Sequence, residues 1–142
     1  MQDEYSEFLA RKAVAATSAG FSPRAMNAAL MDFQVASTDF AIRQGRAALY
    51  LSTGLGKSIC QLEWLDQCIR ETNKPALLLA PLAVAKQFER EAAKFGYDAA
   101  VIRDMTTVGK RINIVNYDRL DKIAPSVFGS VSMDEASILK SY

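Results

Sequence analysis

Histidine is absent from this 142-residue chain. Ser-His-Asp catalysis, Cys-His nucleophiles and histidine-ligated metal sites are thereby excluded, and any chemistry falls to carboxylates, lysine, hydroxyls and backbone amides. Cysteine is scarce. Cys60 and Cys68 fall on one predicted helix, where eight residues span about 12 Å, too far for a disulfide. A reducing, cytoplasmic setting is the expectation. No apolar run approaches the roughly 18 residues of a membrane span. The acidic, amphipathic start Met1-Gln2-Asp3-Glu4-Tyr5 lacks the basic head and apolar core of a secretory signal. No charge block, repeat or low-complexity tract is present. With 17 basic and 16 acidic side chains the formal charge is +1, which neither points to nucleic acid nor excludes it.

What remains is an ordinary globular composition, 50% apolar and 23% charged, long enough for one domain, or part of one, with a real core. Tyr5, Phe8, Leu9 and Ala13 recur at helical spacing, predicting a helix over 3–17 that Gly20 breaks. Ser22-Pro23 looks like an N-cap with proline at the first helical position. It predicts a helical segment, interrupted near Asp32 and stopped by Gly45. Ala47–Leu51 reads as a short buried strand. A helix to about Thr72 follows, with Ile59, Leu62, Leu65 and Ile69 on its apolar face. Ala76–Ala80 is a second apolar strand closed by Pro81. Val84, Phe88, Ala92 and Phe95 mark the core face of the next helix, which Gly96 caps. Ala99–Ile102, Ile112–Val115 and Phe128–Met133 read as further strands. Short apolar strands alternating with amphipathic helices predict a mostly parallel α/β sheet.

Two features carry chemistry. Gly54-x-Gly56-Lys57-Ser58 lies between an apolar strand and a helix, the context a phosphate-binding loop requires. Glycines let the backbone aim its N–H groups at a phosphate, and the helix N-terminus adds partial positive charge. Thr53, Gly54, Leu55, Gly56, Lys57 and Ser58 would hold the nucleotide, Lys57 reaching the β- and γ-phosphates and Ser58 ligating Mg²⁺. Leu51 stands where the general pattern has glycine. Without its context the run would be a Gly-rich turn with a solvated lysine. Asp134-Glu135 closes the last predicted strand. In a parallel sheet its end shares the edge at which ligands bind. Asp134 would then hold Mg²⁺ and Glu135 would act as general base on the attacking water. Alone, such a pair is as well explained by an exposed helix start. The preceding Ser130-Val131-Ser132-Met133 is less apolar than such strands usually are.

Taken in order, these segments resemble the first RecA-like domain of superfamily-two helicases, nearest the Swi/Snf-related DEAD/DEAH-box helicases of phages and prophages. Glu7–Ala13 is similar to their N-terminal stretch, and Phe33-Gln34 to their aromatic–Gln pair. Ser52–Ser58 resembles motif I, Leu78–Val84 with Glu91 and Lys94–Gly96 motif Ia, Ile114–Leu120 motif Ib, and Met133–Lys140 motif II. The resemblance implies ATP and Mg²⁺ as ligands and adenine recognition by Gln34. It also implies a nucleic-acid partner, DNA before RNA, met by Pro81, Leu82, Asn116 and Arg119, and a bacterial or phage-infected cytoplasm. Bland readings stand beside these: Gln34 as a polar helix start, the two loops as ordinary caps, Trp64, Cys60 and Cys68 as packing residues, and Lys86 to Arg90 as a solvated helix face.

The resemblance divides the chain into an N-terminal helical segment (1–32) and a partial first RecA-like domain (33–142), incomplete at its C-terminus. Motif II ends Asp-Glu-Ala-Ser, and neither motif III nor a second domain with its arginine finger is found. Such an arginine is worth about 10³ to 10⁵ in rate, or about 4–7 kcal/mol. The expectation is weak Mg·ATP binding, little turnover and no unwinding by this chain alone, as a helicase fragment or one part of a split protein. A non-motor P-loop ATPase or switch, and a non-catalytic helicase remnant, are the alternatives.

Overall fold

The computed structural model describes residues 4–7, 19–49, 51 and 56–135. Its elements are α1 (Asp32–Gln44), α2 (Lys57–Thr72), β1 (Ala76–Ala80), α3 (Leu82–Phe95), β2 (Ala99–Val101), β3 (Ile112–Asn116) and β4 (Ser130–Met133). The four strands form one sheet in the order β2-β3-β1-β4, and every pairing is parallel. β1 is central, with Leu78 opposite Ile114 on one side and Ser132 on the other. All five of its residues are buried, which is why it reads as an unbroken apolar run.

Alternate residues separate two cores. Ala76, Leu78, Ala80, Ile112 and Ile114 face Leu62 and Leu65 of α2 and Ala85, Phe88 and Ala92 of α3. Both long helices therefore lie on one side of the sheet. On the other side Leu77, Leu79 and Val115 pack with Ile102, Tyr117, Ile123 and Phe128, contributed by short 3₁₀ turns and connecting segments. β4 explains its own odd composition. Ser130 and Ser132 share the face of Ala76 and Leu78, and Gln61 Nε2 on α2 donates to Ser132 Oγ at 3.2 Å. Ser132 thus meets a polar helix residue, whereas Ser130 Oγ is buried without a hydrogen-bond partner. Val131 and Met133 point to the other face and remain exposed.

The helices over 57–72 and 82–95 form as the sequence predicts, and Gly96 (φ 81°) ends the second in the left-handed region that favours glycine. Trp64 packs against the larger core, and both cysteines are buried and free. Two expectations fail. Ser22-Pro23 starts no helix: residues 21–27 are irregular, and α1 begins only at Asp32. Their polar groups are met from far away. Arg24 N–H donates to Gln67 Oε1 at 2.9 Å, Gln67 Nε2 donates to Arg24 C=O at 3.1 Å, and Asn27 Nδ2 donates to the Phe95 carbonyl at 2.8 Å. A segment bonded this way gains little from turning helical. The expected strand at 47–51 is likewise absent from Ala47, Ala48, Leu49 and Leu51, while Tyr50 lies outside the described residues. Leu49 and Leu51 instead pack against the larger core without joining the sheet, and alanine gives a strand little support. Of the expected helix over 3–17, residues 4–7 are helical and the rest lies outside the described residues.

Candidate nucleotide-binding site

Because the strands run parallel, their C-terminal ends share one edge, and Pro81, Tyr117 and Asp134 directly follow β1, β3 and β4 there. α2 starts at the same edge. Its N-cap, Gly56, has φ 68° and offers no side-chain cap, and no acidic residue occupies the first turn. That leaves helix N–H groups and partial positive charge without an internal anion.

The side chains of Lys57 and Asp134 meet here. Lys57 Nζ lies 3.0 Å from Asp134 Oδ1, with the aspartate side chain 6% exposed and the lysine 38%. A carboxylate buried this deeply needs a cation, and Lys57 provides it. The contact is an ion pair without hydrogen-bond alignment, so Asp134 Oδ1 has no hydrogen-bond partner. The Asp134 backbone is fixed on both sides: its N–H donates to the Leu79 carbonyl at 2.8 Å, and its C=O accepts from Tyr117 Oη at 2.7 Å. Burial pushes the Tyr117 hydroxyl above its ordinary pKa, helped by the carboxylates of Asp134 and Glu135, so it stays a donor. Glu135 follows, exposed and with φ 55°.

Gln34 lies against the same corner. It is buried in the first turn of α1. Its Oε1 accepts from Met31 N–H at 2.9 Å, and its Nε2 points to the Gly56 carbonyl at 3.5 Å. A Cβ on Gly56 would meet that Nε2, the movable end of the Gln34 side chain, so it is the left-handed dihedral that calls for glycine here. Ser58 is half-buried in the first turn of α2. Thr53, Gly54 and Leu55 lie outside the described residues.

The remaining candidates sit farther along the edge. Pro81 is the N-cap of α3, and Leu82 is exposed beside it. Asn116 caps the following turn, its Oδ1 accepting from Asp118 N–H at 3.1 Å. Arg119 is half-buried in the 3₁₀ turn Tyr117–Lys122. Two contributors escape a motif-based search. Tyr117 stands within the Asn-Tyr-Asp run, where nothing in the sequence tells a core tyrosine from one that holds the acidic strand end. Gln61 lies one helical turn after Lys57, a spacing that does put it on the same face.

No protein-family model and no curated protein matches the chain. Solved structures do. The Sulfolobus solfataricus SWI2/SNF2 ATPase core domain matches with a TM-score of 0.64 at 23% identity, over 85% of this chain and 28% of that one. A Sulfolobus solfataricus SWI2/SNF2 ATPase core in complex with dsDNA matches with a TM-score of 0.64 at 24% identity, over 84% and 29%. This chain thus spans less than a third of either, and at such identities the likeness establishes the fold. That fold, four parallel strands flanked by helices, is the one found in part of the SWI2/SNF2 ATPase core.

Proposed function

We propose that this chain is the ATP-binding part of a helicase-type motor. The observation that carries the proposal is the 3.0 Å pair between Lys57 and Asp134, at the edge of a parallel sheet where α2 also begins. Lysine and carboxylate from segments far apart in sequence converge where an open α/β sheet binds its ligands.

The donor set suits Mg·ATP. Magnesium on a nucleotide takes one or two protein oxygens and fills its remaining positions with phosphate and water. Asp134 offers a buried carboxylate with one oxygen lacking a hydrogen-bond partner, and Ser58 a hydroxyl on the first turn of α2. The metal would neutralise charge on the phosphate oxygens. Lys57 would exchange Asp134 for the β- and γ-phosphates, Gln34 would meet the adenine edge, and Glu135 would take the proton of the attacking water. Hydrolysis and movement along nucleic acid are proposed for the motor of which this chain covers part. One matched core is in complex with dsDNA, which favours a DNA track here, with Pro81, Leu82, Asn116 and Arg119 on its side of the sheet edge.

A fluorescent ATP analogue titrated into the chain, with Mg²⁺ and then with EDTA, tests the site. Saturable binding strengthened by Mg²⁺ is expected, and Asp134→Asn should remove the strengthening while leaving the Mg²⁺-free component. Absence of binding at millimolar nucleotide in wild-type protein would end the proposal.

A further inference from the structure

The acidic pair occupies an unusual turn. Among the described residues only Asn73 and Glu135 combine a side chain with positive φ. Asn73 is a helix C-cap, where asparagine is at ease. Glu135, at φ 55°, has no such excuse: glutamate enters the left-handed region only when its surroundings impose it. The imposing contacts flank it. The Asp134 N–H is bound to β1 through the Leu79 carbonyl at 2.8 Å, and the Asp134 carbonyl to Tyr117 Oη at 2.7 Å. The first bond continues the β1–β4 ladder. The second involves the Asp134–Glu135 peptide itself. Tyr117 is itself buried, in the cluster that includes Leu79, Val115 and Ile123.

Building on the nucleotide reading above, we propose that Tyr117 is a positioning residue: its hydroxyl holds the Asp134–Glu135 peptide in the turn that keeps the Asp134 carboxylate against Lys57 and turns Glu135 outward. The burial of Tyr117 keeps water from competing for the Asp134 carbonyl. Tyr117 also opens the turn that carries Arg119, so one side chain ties that turn to the acidic pair.

Two measurements on the full chain test this with Tyr117→Phe, which keeps the ring and removes the donor. The first needs no nucleotide. Urea midpoints are compared for wild type, Tyr117→Phe, Glu135→Gly and the double variant. If the hydroxyl enforces the left-handed turn, its loss lets Glu135 relax, and the relaxation refunds part of the lost bond. Tyr117→Phe should then lower the midpoint less in the wild-type background than in the Glu135→Gly background, where there is no strain to release. Equal losses in both backgrounds overturn the clamp. The second measurement is nucleotide affinity with and without Mg²⁺. Tyr117→Phe should weaken the Mg²⁺-supported affinity by about five- to tenfold, the equivalent of one buried hydrogen bond, and leave the Mg²⁺-free affinity unchanged. Equal weakening under both conditions is what a general loss of structure would give, and it overturns positioning. Failure of wild-type protein to bind nucleotide sinks the nucleotide reading, and the urea comparison then decides the clamp alone.

Discussion

Replacing Lys57 by alanine should destabilise the nucleotide-free protein, and replacing its partner should not. The asymmetry follows from burial. Asp134 is 6% exposed at its side chain and Lys57 38%. Removing the lysine strands a buried carboxylate whose Oδ1 has no hydrogen-bond partner. Removing the carboxylate only frees a flexible ammonium to swing into water. Breaking a fully buried pair costs about 3–5 kcal/mol, and an exposed pair contributes about 0–1 kcal/mol. With one partner buried and one half-exposed, Lys57→Ala should cost about 2 kcal/mol. At a urea m-value of about 2 kcal/mol/M, that moves the midpoint by about 1 M. Asp134→Asn should shift it by less than about 0.3 M in either direction, since the lysine left behind reaches water and no buried charge is stranded. The double variant should recover most of the loss. The assay is urea unfolding followed by both fluorescence and far-UV circular dichroism, with coincident transitions required. If Asp134→Asn costs as much as Lys57→Ala, the charge-burial reasoning is wrong.

Two further predictions concern the scaffold. Phe88, on the face of α3 toward the sheet and 2% exposed, should cost about 3–5 kcal/mol when cut to alanine; a loss below 1 kcal/mol in the same urea assay would mean that α3 is not seated as described. Burial pushes the Cys68 thiol up to about 11 from 9.0, with a lesser opposing contribution from Ser130. A thiol harder to ionise in the folded state contributes stability that is complete below its unfolded pKa and lost as pH rises through 9.0 to about 11, a loss of about 2–3 kcal/mol. Melting temperature against pH should therefore fall less steeply for Cys68→Ala than for wild type over that window, and parallel curves would refute the assignment.

Elements whose causes are local were legible from the order of residues alone. α2 and α3 could be placed because their apolar positions repeat with a helical period, and β1 because it is an unbroken apolar run closed by Pro81. The parallel sheet follows from the alternation of such segments, and the parallel sheet in turn brings Lys57 and Asp134 to one edge. The remaining features depend on partners remote in the chain. Residues 21–27 carry a good helix-start signal, yet they stay irregular because Gln67, 43 positions from Arg24, takes both polar groups of that residue's backbone. Ser132 looks misplaced in a strand until Gln61, 71 positions before it, is seen beside it. Gln34 is buried against Gly56, 22 positions away, and the hydroxyl of Tyr117 acts on a carbonyl 17 positions on. Periodicity reports which face a side chain occupies. It carries no information on which remote hydrogen-bonding group will be waiting there, because that depends on strand order and register, which form only when the whole sheet does.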